Sequence, residues 1–266
     1  VLGDADFVPL HEPWLGGKEW EYVNDSLDSG FVSSVGQYVN RFEKDLAEFT
    51  GAARAVATSS GTSALHICLV VAGVSPGDEV LLPALTFVAT ANAVSYCGAT
   101  PHFVDCDEDR IGIDPTKLDA YLAGISVIRD GECFNRQTGK RIRVIIPVHM
   151  YGHPCRIEEL IEIANRYHLM VVEDAAESLG SRVGNYHTVL FGKLGALSFN
   201  GNKTITTGGG GAVITSDEKL ANLVKHLTTT AKTSHPFDYH HDEVGFNYRM
   251  PNINAALGCA QLEQMS

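Results

Sequence analysis

Apolar and polar positions along the chain fall into blocks of two kinds. Near the N-terminus, GGKEWEYVNDSLDSG and residues 39–50 space their apolar side chains three and four apart, which predicts two amphipathic helices. A short apolar run at 53–58 (ARAVAT) reads as a strand, and 61–72 returns to helical spacing. The exchange then repeats: 79–82 strand, 87–96 helix, 101–104 strand, 116–122 helix, 143–148 strand, 157–167 helix, 169–173 strand. Further on, 196–199 and 211–215 read as strands, and 217–227 and 252–265 as helices. Runs such as VIIPV and LMVVED are apolar throughout, so both of their faces must be covered. Strands of that kind, separated by helices, predict an α/β fold: a mostly parallel sheet with helices on both faces. The polar, turn-rich segment DGECFNRQTGK (130–140) predicts a surface hairpin. The chain stops inside or just after a helical stretch, AALGCAQLEQMS, an odd finish for a whole protein. The expectation is a large domain with N-terminal helices over 1–250. Residues 251–266 would then start the helix leading to a C-terminal small domain that is absent.

Composition narrows the picture. With 266 residues, 44% of them hydrophobic and 20% charged, the chain can bury a full core and is not of disordered composition. A net charge of −12 repels nucleic acid and anionic membranes, so no partnership with either is expected. A phosphorylated ligand would have to be held by local backbone dipoles against that global field. The six cysteines are scattered with no CxxC pair, which reads as a reduced, cytoplasmic protein. No run of about 18 apolar residues predicts a transmembrane helix. The opening VLGDADFVPLHEPWLGG lacks the basic region and apolar core of a secretory signal.

Three stretches could carry chemistry. Thr58-Ser59-Ser60-Gly61-Thr62-Ser63 lies between a strand and a helix, where free N–H groups and small hydroxyl residues cradle a phosphate. Alone it reads equally as an ordinary N-cap. In Val172-Glu173-Asp174-Ala175-Ala176-Glu177 an apolar strand ends in acids at its carboxyl end, where open α/β sheets bind ligands. The two alanines leave room for a flat ring, and the carboxylate could pair with a protonated heterocyclic nitrogen. An isolated Asp there could instead cap a helix or bind a metal. In Ser198-Phe199-Asn200-Gly201-Asn202-Lys203-Thr204, followed by Gly208 to Gly211, a lysine sits in a turn among small residues. Partial desolvation and a nearby cation would expose its amine as a nucleophile. The competing reading is a solvated surface lysine. The spacing is not that of a Walker A loop. Together, a phosphate cradle, an acid for a ring nitrogen and a Schiff-base lysine are the protein parts that pyridoxal phosphate (PLP) chemistry needs.

At this point the chain resembles the DegT/DnrJ/EryC1/StrS family of sugar aminotransferases. The matching stretches are SSGTSALH, PALTFVATANAV, PVHMYGHP, VEDAAESLGS, GALSFNGNKTITTGGGGAVIT and GFNYRMPNINAALGCAQLEQM. The opening 10–43 and the phrase FNGNKTITTGGGG look most like the LegC-type branch, which aminates UDP-4-keto-6-deoxy-N-acetylhexosamine. The resemblance implies the large domain of a fold type I PLP-dependent transferase. Residue by residue, Lys203 matches the Schiff-base lysine and Asp174 the acid on the pyridine nitrogen. Gly61, Thr62 and Ser198 match phosphate binders, and Phe87 the aromatic stacked on the ring. Glu177 sits where many relatives have Gln or His near the ring hydroxyl. Asn247 matches a residue given to the phosphate of a neighbouring subunit, which implies a homodimer with a shared site. Gly209 departs from the commoner TGEGG by losing an acid.

The implied reaction moves an amino group from glutamate to a nucleotide-linked 4-keto-6-deoxy sugar in two half-reactions, with Lys203 as nucleophile and general acid/base. Two rivals are a PLP-dependent sugar dehydratase, in which histidine replaces the lysine, and a PLP-binding sugar-nucleotide sensor. His149 and His153 are four apart, but Gly152 and Pro154 argue against a helical zinc pair. His149 reads as a structural residue near the site, and His240-His241 as solvated. Tyr248 and Arg249 read either as facing a substrate pyrophosphate or as residues of core packing or a surface ion pair.

Overall fold

The computed structural model describes residues 11–234 and 237–265. The reading of the extreme N-terminus as no secretory signal falls largely on 1–10, outside the described residues. In chain order the elements are α1 (Glu19–Asp28), α2 (Gln37–Thr50), β1 (Arg54–Thr58), α3 (Gly61–Val71), β2 (Glu79–Pro83), α4 (Val88–Tyr96) and β3 (Thr100–Val104). Then come α5 (Pro115–Ile125), β4 (Ser126–Arg129), β5 (Glu132–Asn135), β6 (Arg141–Ile145), α6 (Ile157–Arg166) and β7 (Met170–Asp174). The last are β8 (Arg182–Val183), β9 (Tyr186–His187), β10 (Leu194–Ser198), β11 (Gly211–Thr215), α7 (Glu218–Thr228) and α8 (Asn252–Leu262).

Local chemistry sets the helix ends. Asp114 caps α5 ahead of Pro115, and Asp217 caps α7 by accepting from the N–H groups of Lys219 and Leu220 at 2.9 and 3.1 Å. Such caps contribute about 1 kcal/mol each. α2 buries Val39, Phe42 and Leu46 on one stripe and stops at Gly51, whose φ of 81° is open to glycine. α3 is apolar nearly all round because it lies inside the molecule against β10 and β11.

The main sheet runs β1-β11-β10-β7-β6-β2-β3, with β5 antiparallel on β6 and β4 antiparallel on β5. β10, β7, β6, β2 and β3 are mutually parallel. β11 is antiparallel to both neighbours, β1 and β10. Successive strand residues feed opposite faces. Val56, Val80, Leu82, Val144, Val172, Ala196 and Val213 join a core under α3, α4 and α7. Ala57, Leu197, Ala212 and Ile214 join a second core under α2 and α8, while Leu81, Ile145 and Val171 join a third under α5 and α6. The expected mostly parallel sheet with helices on both faces is what the chain forms. α8 contributes Ala255, Ala256, Cys259 and Leu262 to the second core and packs on α1 and α2, so it belongs to the same body.

The segment expected to make one hairpin makes two turns. Asp130 and Gly131, both at positive φ, close the β4–β5 hairpin, and 136–140 form a second turn into β6. Arg249 is not at a ligand surface. It is buried, donating to Glu43 Oε1 at 2.8 Å and to the Ala57 carbonyl at 3.0 Å. Lys225 holds the other oxygen of Glu43 at 2.9 Å. Arg249 thus forms an ion pair, but inside the core rather than on the surface. Tyr248 bonds through its hydroxyl to Nδ1 of His66 at 3.0 Å and so is also a packing residue.

Candidate active site

Five strands, β1, β2, β6, β7 and β10, point their carboxyl ends at one cavity of about 400 Å³. The start of the antiparallel β11 lies at the same end, because Gly211 pairs with Thr58 on one side and Ser198 on the other. The loops that follow these five strands supply the walls, at the end where an open α/β sheet binds its ligands.

After β1, Ser60 is the N-cap of α3. Its Oγ accepts from the Ser63 N–H and the Ser63 hydroxyl accepts from the Ser60 N–H, both at 3.0 Å. The N–H groups of Gly61 and Thr62 and the Ser198 hydroxyl have no hydrogen-bond partner among the described residues. These donors line the cavity at a helix N-terminus, a ready anion site. Glycine at 61 is a steric need: a Cβ there would stand 2.7 Å from Ser198 Cβ and 2.9 Å from its Oγ.

After β7, Asp174 is 5% exposed. Its Oδ2 accepts from the Thr90 hydroxyl at 2.7 Å, and Oδ1 from the Ala176 N–H at 3.2 Å. Burial pushes its carboxyl above the usual range, with Thr90, the Ala176 N–H, Lys203 and His149 pulling the other way. A buried carboxylate raised by desolvation is one that a cationic partner would relieve. Glu173, one residue earlier, faces away. It accepts from the N–H groups of Phe191 and Gly192 at 2.8 and 2.7 Å and meets His149 Nε2 at 3.0 Å. The Cys155 N–H donates to His149 Nδ1 at 3.3 Å, so the ring is fixed at both ends as a wall of the cavity.

After β10, Lys203 lies in the turn that follows Ser198, its side chain 14% exposed, and donates to Glu177 Oε1 at 3.0 Å. The partner is a carboxylate rather than the neighbouring cation expected from the sequence. The other oxygen of Glu177 accepts from the Tyr151 N–H at 2.8 Å. Phe87, at the N-cap of α4, presents a 71% exposed ring on the wall. The structure therefore gathers Gly61, Thr62, Phe87, Asp174, Glu177, Ser198 and Lys203 into one cavity. Asn247 is not on that wall. It is exposed and bridges to Thr229.

Sequence reasoning passed over Thr90 and Tyr151. Thr90 stands three residues after Phe87, one turn along the same helix, and that spacing was the available signal. Among the described residues no group of His, Cys, Asp and Glu is arranged to hold a metal, and no helix is long and apolar enough to cross a membrane. All six cysteines are free.

Residues 13–266 match the DegT/DnrJ/EryC1/StrS aminotransferase family. The chain belongs to that family. It is 42% identical over 258 residues to GDP-perosamine synthase of Escherichia coli O157:H7, an alignment covering 97% of this chain and 66% of that protein. The aminotransferase from Psychrobacter cryohalolentis superposes with a TM-score of 0.84 at 32% identity, covering 97% of this chain and 64% of the other. NtdA from Bacillus subtilis, solved with bound cofactor PMP, matches with a TM-score of 0.79 at 32% identity, covering 93% and 52%. The chain thus spans about two thirds or less of the length of these relatives. Its site fits the cofactor of PLP-dependent aminotransferases: unpaired donors at the start of α3, a desolvated acid, an exposed aromatic face and a lysine amine share one cavity.

Proposed function

We propose that this chain forms the PLP-binding part of an aminotransferase that moves an amino group from glutamate to a nucleotide-linked 4-keto-6-deoxy sugar, in the cytoplasm, for surface glycan synthesis. The observation that carries the reading is the meeting of Lys203, Asp174 and the free α3 N-terminus in one cavity. Gly61, Thr62 and Ser198 would hold the cofactor phosphate, Phe87 would cover the ring and Asp174 would hold its nitrogen in the charged form. PLP, when bound, supplies the electron sink that an amino transfer requires. The protein's part is then proton handling. Lys203 Nζ is the group placed to take up and hand back a proton, and Glu177 Oε1 at 3.0 Å orients it. Asn247, exposed and off the cavity wall, is free to serve a second copy of the chain, and a homodimer follows from that role. Initial rates against glutamate and keto-sugar should give parallel double-reciprocal lines, since one half-reaction ends before the next begins. Intersecting lines would overturn the scheme.

Gly209 supports an N-acetylhexosamine as the sugar. It lines the cavity, and a Cβ there would meet nothing within 4 Å. The position that carries an acid in TGEGG is thus open space, room for a substituent such as the acetamido group of a UDP-linked sugar. Gly209→Glu is expected to fold normally and to shift the kcat/KM ratio by roughly tenfold away from the acetamido sugar, towards a GDP-linked sugar without one, a shift of pocket-filling size. An unchanged ratio would remove Gly209 as a determinant of sugar choice.

A further inference from the structure

One aromatic on the cavity wall has no task in the scheme above. Tyr151 sits in the turn Met150–Gly152 at φ 53° and ψ 24°, a left-handed conformation that bulky side chains rarely take. The turn is tied down on every side. The Tyr151 N–H is held by Glu177 Oε2 at 2.8 Å, the Gly152 carbonyl accepts from the Ser181 hydroxyl at 2.7 Å, and the His149 N–H donates to the Asp174 carbonyl at 3.1 Å. All this restraint positions a ring that is 71% exposed and lines the cavity. Its hydroxyl has no hydrogen-bond partner, and its ring packs on no other aromatic, among the described residues. A strained backbone that holds an exposed aromatic, free of intramolecular partners among the described residues, at a cavity wall is the signature of a ligand contact rather than of packing.

We propose that Tyr151 is the sugar-binding wall of the site: its ring face takes the C–H face of the hexose and its hydroxyl bonds a sugar oxygen. Glu177 is then a positioning residue with two attachments. One oxygen orients the Lys203 amine and the other fixes the turn that carries Tyr151, so the reacting amine and the sugar contact share one carboxylate. This rests on the nucleotide-sugar reading of the cavity.

The test is calorimetric titration of the cofactor-loaded protein with UDP-N-acetylglucosamine, GDP-mannose and the free nucleotides UDP and GDP. None of these carries the ketone, so binding is read without turnover. Tyr151→Ala is expected to weaken whichever nucleotide sugar binds by roughly tenfold or more, the usual cost of truncating an aromatic anchor. Affinity for the free nucleotide should hold. Tyr151→Asn, which tolerates the left-handed turn, should show the same loss. A loss confined to the Ala variant would mark collapse of the turn and overturn the proposal, as would an equal loss for the free nucleotide. Sugar binding that survives Tyr151→Ala overturns the role of Tyr151 alone. Failure of the wild-type protein to bind either nucleotide sugar overturns the reading of the site itself.

Discussion

Lys203→Ala should abolish amino transfer, lowering the rate by at least about 10³-fold, because one side chain serves as both nucleophile and proton carrier. The measurement is the absorption spectrum of the PLP-loaded protein before and after glutamate. The wild-type visible band should give way to the shorter-wavelength pyridoxamine form, and Lys203→Ala should leave the band unconverted. Lys203→Arg is the informative companion. A guanidinium keeps the positive charge beside Glu177 but cannot act as the nucleophile, so the ion pair survives while the chemistry is lost. Equal failure of both variants assigns the effect to the amine itself. If Lys203→Ala converted the band as fast as wild type, the assignment of Lys203 would fall. If Lys203→Arg were active, the residue would be acting through its charge alone.

Much of this site was legible in the sequence because each part obeys a local rule. Ser60 and Gly61 mark a strand-to-helix junction by hydroxyl and glycine chemistry, and the fold turns that junction into an N-cap with free donors. Asp174 ends an apolar strand, and strand polarity alone then sends it to the ligand end of the sheet. What stayed hidden depends on residues far apart in the chain. The partner of Arg249 is Glu43, 206 positions away, so no local pattern could separate a ligand-facing arginine from a buried one. The apolar run AVIT gives no strand direction either. That β11 runs antiparallel is fixed by its pairing with β1 and β10, which also brings Gly209 to the cavity. The two-turn path of 130–140 depended on Asp130 accepting a positive φ of 52° to close the β4–β5 pairing, and on β6 pairing with β5 beyond 136–140. Glu177 is an intermediate case. Its place near the ring hydroxyl came from resemblance, whereas its bond to Tyr151 appears only once the loops after β6 and β7 lie side by side.

Asp174→Asn should separate what this residue does for catalysis from what it does for the fold. In the absence of cofactor its carboxyl is pushed up by burial, so the folded protein holds that proton more tightly than the unfolded chain. The sign follows: the contribution of this group to stability is fully present below the unfolded value and is lost as pH rises through the higher folded one. Once pH exceeds that folded value, the wild-type protein bears a desolvated charge that an amide does not have. Asparagine also keeps the local bonds, accepting from the Ala176 N–H through Oδ1 while its amide donates to Thr90 Oγ1, which turns its own proton to Thr86. Cofactor-free Asp174→Asn is thus expected to be at least as stable as wild type at pH 7, with its advantage shrinking as pH falls towards the ordinary carboxylate range. Activity should move the other way. A neutral amide cannot hold a positive charge on the ring nitrogen, and the loss of such a preorganised charge costs about 10² to 10³-fold in rate, together with weaker cofactor retention. Thermal melts of the cofactor-free proteins across pH, set beside transamination rates of the loaded ones, read both effects. Destabilisation of the cofactor-free variant would make Asp174 a structural residue, and retained activity would remove it from the cofactor site.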